Sequence, residues 1–334
     1  MKGKGIVIAG SLICDNFYMI DTYPEIGRLT NVRGVHRGVG GTGNIIIDLA
    51  KLDFDLEVKV SGVIGTGSNG RFIKQTLQKY PNIDLQHLVE EGDTSMTIVM
   101  EAQDNKQRTF FYQAAGSDVY DESYIDWDHL EADIFHLEYL LLLKKVDEED
   151  PVYGTHGAKI LHDAKARGMK TSIDIVSEES DRAKKIVGAA LKYTDYCTVN
   201  EIEAQEITGV ELLKDGQIIE KNVKKALLKL KELGVSTWAI IHSPSWGYGL
   251  DCKSGEIVQV PSLKLPKGYI KSTTGAGDAF CAGVLYSAYE NQTLTEALKL
   301  GAACAACSLS EVGGSAGLRS YELVQKEYDK YKVE

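Results

Sequence analysis

The sequence predicts an α/β protein with a mostly parallel central sheet, helices on both faces and a small β-sheet lid. Short runs of β-branched residues alternate along the 334-residue chain with amphipathic helical patterns, the order typical of βαβ units. Two longer segments lack a helical pattern and alternate instead like β-hairpins. The chain contains no internal repeat or low-complexity linker, so we expect a single domain over residues 1–334.

These patterns predict short strands that alternate with helices. The predicted strands are residues 5–10, 58–65, 134–140, 169–176, 196–200 and 237–242. The predicted helices are residues 44–52, 70–80, 155–168 and 223–234, and the last two end in glycine, as helices commonly do. Because connecting helices cover the faces of such a sheet, we expect ligands at the C-terminal ends of its strands.

Residues 15–38 and 94–117 are the two hairpin-like segments. We expect them to pair into one small sheet that forms a lid over the ligand site, although a surface excursion without a functional role fits the same pattern. One face of this sheet is predicted to carry six apolar side chains: Phe17, Met19, Ile98, Met100, Phe110 and Tyr112. Because a monomer would leave that face partly bare, the sequence predicts a homodimer formed through the lid.

Composition and charge argue against several classes of protein. With 43% hydrophobic and 25% charged residues the chain has ordinary globular usage. Its net charge of −11 without a basic cluster disfavours a nucleic-acid partner, and the apolar run at residues 139–143 is far too short to cross a membrane. The cysteines follow no disulfide or zinc spacing, and Cys304 and Cys307 lie in an alanine-rich helical pattern. We therefore expect a cytoplasmic protein in a reducing compartment.

Three glycine-rich stretches are candidates for binding a phosphate or a cofactor. Residues 38–43 and 65–70 both match G-x-G-x-x-G, the dinucleotide fingerprint, and Asp84 or Glu90 would serve as the ribose-binding acid. An NAD-dependent oxidoreductase is therefore an alternative. These matches are weak evidence, because the chain contains 33 glycines.

The third stretch, KSTTGAGDAF at residues 271–280, has a direct chemical interpretation. Gly275, Ala276 and Gly277 carry no bulk, so their backbone N–H groups can bind an anion at the start of the following helix. Phosphoryl transfer needs such an anion hole, and Asp278 at the same helix start would accept the proton of an attacking hydroxyl. The alternative is that Asp278 only caps the helix. The chain lacks G-x-x-x-x-G-K-[ST], which excludes a P-loop enzyme.

The stretch STTGAGDAF resembles the D-T-x-G-A-G-D signature of the ribokinase-like PfkB carbohydrate kinase family, and the resemblance extends over nearly the whole chain. GSLICD resembles the first strand of that family, GGTGN its sugar-binding turn, GVIGTGSNG its next glycine segment, HLE the end of a substrate-binding strand, and NEIEA its N-x-x-E motif. The resemblance implies a ribokinase-like fold. It assigns sugar binding to Asp15, Gly40, Gly41, Asn44 and Glu138. It assigns nucleotide binding to Asn200, Glu203, His242, Ser243, Gly247 and Thr274.

The resemblance also implies a reaction, the transfer of the γ-phosphoryl group of ATP to a sugar hydroxyl with Asp278 as general base. The sugar would lie under the lid and ATP in the opposite groove, while the N–H groups of Gly275, Ala276 and Gly277 hold the moving phosphoryl group. Mg²⁺, reached through water from Glu203, would neutralise the phosphates. A nucleoside kinase of the same family and a catalytically silent sugar-binding regulator are alternatives.

The chain departs from the family pattern at several positions. Ile13 replaces a sugar-binding asparagine and Gly67 replaces an acid, so the sugar itself is not predicted. HSPSWG at residues 242–247 stands where many members have T-x-G, and Pro244 has no N–H to offer a phosphate. Ser272 replaces an aspartate that helps to bind a monovalent cation, so we expect weak or no activation by potassium. The candidates for binding a phosphorylated acceptor are Arg28, Arg33, Arg37 and Arg108.

Overall fold

The computed structural model describes residues 3–105, 107–177 and 181–333. Its strands in chain order are β1 Ile6–Gly10, β2 Leu12–Ile20, β3 Val32–Gly41, β4 Val58–Ile64, β5 Ile83–Asp84, β6 Leu88–Glu90, β7 Ser95–Ala102, β8 Arg108–Gln113, β9 Ile134–Leu140, β10 Lys170–Ile175, β11 Tyr196–Asn200, β12 Leu213–Lys214, β13 Gln217–Ile218, β14 Trp238–His242, β15 Trp246–Asp251 and β16 Ile257–Pro261. Its helices are α1 Thr42–Leu52, α2 Ser68–Leu77, α3 Gly116–Val119, α4 Lys144–Asp147, α5 His156–Ala166, α6 Ala183–Leu191, α7 Glu201–Thr208, α8 Glu220–Leu233, α9 Ala276–Tyr289, α10 Leu294–Leu309 and α11 Tyr321–Tyr331.

The central sheet has ten strands in the order β16-β15-β14-β11-β10-β9-β1-β4-β5, with β6 also paired to β4. Every pairing from β14 through to β5 and β6 is parallel. The predicted strands correspond to β1, β4, β9, β10, β11 and β14, and the predicted helices to α1, α2, α5 and α8, so this part of the prediction is confirmed. Because these strands are parallel, their C-terminal ends meet at one edge of the sheet.

The sequence pattern gives no sign of the antiparallel end of this sheet, which β15 and β16 form. β15 contains glycine at positions 247 and 249, and glycine weakens a strand pattern. Helix packing explains both glycines. A Cβ at Gly247 would lie 3.2 Å from Phe280 of α9, and a Cβ at Gly249 would lie 2.8 Å from Leu294 of α10.

Two apolar cores cover the two faces of the central sheet. Helices α1, α9 and α10 contribute to one core, and α5, α6, α7 and α8 contribute to the other. Cys304 and Cys307 are buried in α10, as predicted, and all six cysteines of the chain are free. No helix within the three described ranges is both long enough and apolar enough to span a bilayer.

The two hairpin-like segments form a separate four-stranded sheet, as predicted, in the order β3-β2-β7-β8. β2 pairs with β7 in parallel, and each of them pairs with its hairpin partner in the antiparallel sense. The first hairpin is longer than predicted, since β2 begins at Leu12 and β3 ends at Gly41. We call these four strands the small sheet.

The expectation of a single apolar face on the small sheet is wrong. The register, together with the alternation of strand side chains, puts four of the predicted residues on the face that carries Asp15: Phe17, Met19, Phe110 and Tyr112. It puts the other two on the opposite face: Ile98 and Met100. Phe17 lies opposite Val99 rather than opposite Ile98, and a register difference of one residue reverses the face. We call the Asp15 face the inner face and the opposite one the outer face.

Candidate active site

The turn before α9 leaves the start of that helix open. Gly275 has φ 78° and ψ 3°, a left-handed conformation that favours glycine, and among the described residues no side chain caps the helix that begins at Ala276. A Cβ at Gly275 would also lie 2.1 Å from the carbonyl oxygen of Gly314, so only glycine fits. Among the described residues, the N–H groups of Gly277 and Asp278 have no acceptor, and that of Ala276 has only the carbonyl of Thr273 at 3.5 Å. The start of α9 can therefore bind an anion, which the helix dipole favours.

Asp278 is held by two side chains from distant parts of the chain. The side-chain amide of Asn44 donates to Oδ2 of Asp278 at 2.8 Å, and the hydroxyl of Tyr139 donates to Oδ1. The residue that precedes α9 is Gly275, so Asp278 does not have the capping position of the alternative interpretation. Burial raises the pKa of Asp278, while the hydrogen bonds from Tyr139 and Asn44 lower it. A carboxylate with a raised pKa is better matched to accepting a proton near neutral pH.

Gly41 ends β3, and Asn44 lies in the first turn of α1, which follows directly. Gly41 has φ 61°, and a Cβ there would lie 2.0 Å from the carbonyl oxygen of Ser11. Asn44 is buried, and a Cβ at Gly314 would lie 2.1 Å from its Oδ1 atom. Asn44 thus connects the predicted sugar-binding turn both to Asp278 and to the loop that packs on Gly275.

Asp15 lies on the inner face of the small sheet, where Gly40 leaves room for its carboxylate. A Cβ at Gly40 would lie 2.2 Å from Oδ2 of Asp15. Burial raises the pKa of Asp15 to about 6, a hydrogen bond with Thr97 opposes that rise, and the negative charge of Asp278 adds to it. Because the charge of Asp278 acts on Asp15, the two carboxylates lie close to each other.

Glu138 lies inside the protein, where burial and then the nearby charge of Asp278 raise its pKa. It is fully buried, and its Oε2 atom lies 3.1 Å from Nε2 of His136, whose Nδ1 atom lies 2.9 Å from the hydroxyl of Ser172. Burial lowers the pKa of His136 to about 3, so the imidazole is neutral. The residue that reaches Asp278 is the next one, Tyr139, which the family motif does not single out.

Asn200 and Glu203 form a capping box at the start of α7. Oδ1 of Asn200 accepts from the backbone N–H of Glu203 at 2.9 Å, and Oε2 of Glu203 accepts from the backbone N–H of Asn200 at 2.8 Å. Ser177 donates to the other carboxylate oxygen of Glu203 at 2.8 Å. Burial raises the pKa of Glu203 to about 7. Nearby Asp174 is also buried, and both its burial and the charge of Glu203 raise its pKa.

An apolar cavity of about 540 Å³ begins at the first residues of α9. Its apolar lining comes mainly from the segment before α9, from α9 and from α10: Leu263, Leu265, Ile270, Phe280, Ala302, Ala305, Ala306 and Leu309. Its polar lining includes Asn200, Ser243, Ser262 and Thr273. Ala276 and Gly277 border it, so the start of α9 opens into an apolar space large enough for a cofactor-sized ligand.

Three residues of the segment HSPSWG make different contacts at this cavity. The ring of His242 stacks on Phe280 with centroids 5.0 Å apart, and burial lowers the pKa of His242 to about 4, so it is neutral. The hydroxyl of Ser243 accepts from the backbone N–H of Trp246 at 3.1 Å and therefore stabilises the turn. Gly247 packs against Phe280.

Of the four arginines considered for a phosphorylated acceptor, Arg108 contacts the signature loop. Its Nη1 atom donates to the hydroxyl of Ser272 at 3.1 Å and to that of Thr274. Arg33 instead pairs with Asp21 at 2.6 Å, Arg37 lies over the ring of Phe72, and Arg28 is exposed.

Two further acids of this region have no place in the family motifs. Asp48, one turn after Asn44 on α1, is fully buried, and neither carboxylate oxygen has a hydrogen-bond partner in the described part of the chain. Burial raises its pKa well above the ordinary value, and the charge of Asp278 adds to the rise. The sequence does give one sign of Asp48 and Asp174, because each is an acid inside an otherwise apolar run, IIIDLA and SIDIV.

The acids proposed for an NAD site have other partners. Glu90 forms an ion pair with Lys74, and Oδ1 of Asp84 accepts the backbone N–H of Gln86 at 2.9 Å. Nothing about either contact favours a bound ribose.

The chain is similar to a known protein family, to characterised relatives and to solved structures. A family model described as pfkB family carbohydrate kinase matches residues 5–320. The chain is 24% identical to a ribokinase of Haemophilus influenzae over 321 residues, with 94% of this chain and 95% of the relative covered. It is 22% identical to a nucleoside kinase of Methanocaldococcus jannaschii over 334 residues, with 99% of each covered. A solved structure of Arabidopsis thaliana ribokinase complexed with ribose and ATP has a TM-score of 0.79 at 20% identity and covers 98% of this chain and 99% of that one. The predicted fold is confirmed.

Proposed function

Because the chain belongs to the PfkB family of carbohydrate kinases, we propose that it transfers the γ-phosphoryl group of ATP to a hydroxyl group of a sugar. The observation that carries this proposal is the position of Asp278 between two sites. Its carboxylate bonds to Asn44 near the cleft of Asp15, and the turn before it opens into the apolar cavity. Phosphoryl transfer between two bound substrates requires a base at such a junction.

The chemistry follows from these positions. Asp278 accepts the proton of the attacking hydroxyl while the hydroxyl oxygen forms a bond to the γ-phosphorus. The bond from that phosphorus to the bridging oxygen of the β-phosphate breaks, and ADP leaves. The N–H groups of Gly275, Ala276 and Gly277 and the dipole of α9 stabilise the negative charge on the transferring group.

Mg²⁺ enters the proposal through the acids at the nucleotide side. Both carboxylate oxygens of Glu203 already accept hydrogen bonds from Asn200 and Ser177. Over the described ranges, no three His, Cys, Asp or Glu side chains are grouped to hold a metal. These facts fit an ion that keeps its own waters, binds to Glu203 and Asp174 through them, and takes its remaining ligands from the phosphates. When bound, Mg²⁺ offsets phosphate charge.

The acceptor would bind between the inner face of the small sheet and the start of α9. Asp15 would accept hydrogen bonds from sugar hydroxyls, beside Gly40 and Asn44. The small sheet would act as a lid, since Asp15 lies near its root and Arg108 near its tip touches the signature loop. Closure over the acceptor would exclude water that otherwise competes for the phosphoryl group.

A nucleoside kinase is the second candidate, and the aromatic residues of the inner face favour it. Phe110 is 57% exposed and Tyr112 is 40% exposed. Phe17 stacks on His36 on the same face, with centroids 4.6 Å apart. Exposed aromatic rings next to an acceptor cleft can stack on a nucleobase as well as on the apolar face of a sugar.

The outer face of the small sheet supports a homodimer. Val35 and Phe111 on this face are 59% and 55% exposed. The strand register places Tyr18, Ile98 and Met100 beside them. An apolar patch across all four strands matches the chemistry of an interface between identical chains, in which the same patch covers itself.

A cytoplasmic location is part of the same proposal. All six cysteines are free and buried, which suits a reducing compartment. ATP as phosphoryl donor is also available there.

The test is a screen of sugars and nucleosides with ATP and Mg²⁺, read by ADP release. A sugar that is turned over supports the main proposal, and a preference for nucleosides supports the second candidate. Binding of a sugar without ADP release would support a regulator instead. Binding of NAD without binding of ATP would contradict a kinase altogether.

A further inference from the structure

The side chain of Arg108 connects the tip of the small sheet to the phosphoryl-transfer loop. Arg108 opens β8, opposite Glu101 of β7 and in line with Met19 of β2. That row lies four residues beyond the row of Asp15, or about 13 Å along the strands. From there Nη1 of Arg108 donates to Ser272 at 3.1 Å and to Thr274, two of the three hydroxyl residues before Gly275.

The guanidinium of Arg108 forms an ion pair with Glu101 and has donors left beyond that pair. Nε donates to Oε2 of Glu101 at 3.0 Å. The two partners of Nη1 are neutral hydroxyls, and Nη2 donates to none of the residues that the structure describes. The side chain is only 17% exposed, so solvent screens its charge weakly. The guanidinium therefore lies beside Thr274, just before the turn at Gly275, where the N–H groups of Gly277 and Asp278 have no acceptor among the described residues.

A hydrogen bond between Ser272 and Thr274 holds the two acceptors of the Arg108 guanidinium in position. Thr274 donates its backbone N–H to the hydroxyl of Ser272 at 3.2 Å, and Ser272 is buried. Both acceptors of Nη1 therefore belong to one ordered turn that leads directly into α9. A guanidinium has several donors in a fixed plane, so it can keep these bonds and still bind phosphate oxygens.

We propose that Arg108 binds the phosphoryl group that is being transferred, as a cation that the small sheet supplies to the start of α9. This inference rests on the proposed kinase function and adds a residue to it. The lid would then complete the charge stabilisation of the transferring group as well as cover the acceptor. In other phosphoryl transferases an arginine in this role accelerates the reaction by about 10³–10⁵-fold.

Nucleotide binding tests the inference without any acceptor. Arg108→Gln keeps a hydrogen-bond donor for the two hydroxyls but removes the charge. Arg33→Gln is the matched control, because Arg33 lies in the same sheet and pairs with Asp21 at the surface. The affinities of MgADP and of the magnesium complex of the non-hydrolysable ATP analogue AMP-PNP are measured by calorimetry for the wild type and both variants.

The inference predicts that Arg108→Gln weakens AMP-PNP binding at least tenfold and changes ADP binding less than twofold, whereas Arg33→Gln changes neither. Equal losses for both nucleotides would show that Arg108 only stabilises the loop before α9. No loss would show that Arg108 does not contact the γ-phosphate. Either result overturns the inference. So would a variant whose only defect is a raised KM for a phosphorylated acceptor. If the wild type binds neither nucleotide, the kinase proposal itself fails.

A second variant covers the case in which Arg108→Gln does not fold. Arg108→Ala is assayed for turnover with and without millimolar guanidinium chloride, which is far below denaturing concentrations. Recovery of kcat by the free guanidinium ion, at unchanged melting temperature, supports a charge at the transferring group. A kcat that guanidinium leaves unchanged, in a folded variant, contradicts it.

Discussion

The side-chain amide of Asn44 donates a hydrogen bond of 2.8 Å to the carboxylate of Asp278, across 234 residues of sequence. Asn44 lies in the first turn of α1, after the proposed sugar-binding turn, and Asp278 lies in the first turn of α9. One contact therefore joins the acceptor side of the cleft to the residue that we propose as general base. The second donor to that carboxylate, Tyr139, comes from the end of β9.

Replacing Tyr139 by phenylalanine is expected to move the acid limb of the pH profile of kcat/KM to higher pH. The tyrosine hydroxyl stabilises the charged form of Asp278 and so lowers its pKa. Without that donor the pKa rises, the carboxylate is protonated at higher pH, and activity is lost earlier as the pH falls. Tyr286→Phe is the control, because Tyr286 donates to Asp53 near the other end of α9. An unshifted profile for Tyr139→Phe would contradict the role of this donor.

Acceptor binding is expected to depend on the charge of Asp15. Its pKa is raised to about 6, so the carboxylate is charged above that pH and becomes protonated below it. Acceptor affinity should therefore fall about tenfold between pH 7 and pH 5, and Asp15→Asn should remove this dependence while weakening binding at pH 7. Calorimetry with the identified acceptor, with ATP as the reference ligand, measures both effects. Equal acceptor affinity in the wild type and Asp15→Asn at pH 7 would refute the assignment.

The homodimer prediction concerns the outer face of the small sheet. Light scattering at micromolar concentration should give the mass of two chains for the wild type and of one chain for Phe111→Glu, since a buried charge without a partner disrupts an apolar interface. Phe54→Glu is the control, because Phe54 is 63% exposed outside the small sheet. A monomeric wild type would refute the dimer.

Potassium is expected to activate the enzyme weakly or not at all. Ser272 offers a neutral hydroxyl where the family signature begins with an acid, and that hydroxyl already accepts a hydrogen bond from Arg108 at 3.1 Å. Turnover at fixed ionic strength should change less than twofold when a bulky organic cation replaces potassium. A fall of tenfold or more, about 1.4 kcal/mol in the activation barrier, would show that a cation site exists without the acid.

Local patterns predicted the parts of the fold and of the candidate site that depend on neighbouring residues. The parallel strands follow from runs such as IFHLEYL, which forms β9 without change, and the open turn at Gly275 follows from TGAGD. Residues whose positions depend on tertiary packing could not be predicted in this way. Arg108 reaches the loop at Ser272 only because two hairpins pair through β2 and β7 and bring their tip over it.

The dependence on tertiary packing also explains why two residues that match the family pattern make contacts that the pattern does not predict. Glu138 matches its motif, but its carboxylate bonds to His136 two residues earlier, and Tyr139 is the residue that donates to Asp278. Ser243 lines the apolar cavity, but its hydroxyl bonds to its own turn at Trp246. The sequence identifies these residues, whereas hydrogen-bond competition among neighbours decides what each side chain contacts.

The most direct test of the proposed mechanism is the turnover of Asp278→Asn with an identified acceptor, ATP and Mg²⁺. Asparagine keeps the size of the side chain but cannot accept the proton, so we expect kcat to fall by about 10²–10⁴-fold while nucleotide affinity and melting temperature stay near those of the wild type. Asp53→Asn is the control, because Asp53 also bonds to α9, through Tyr286, and should leave kcat unchanged. A folded Asp278→Asn enzyme with near-normal turnover would contradict the role of Asp278 as general base.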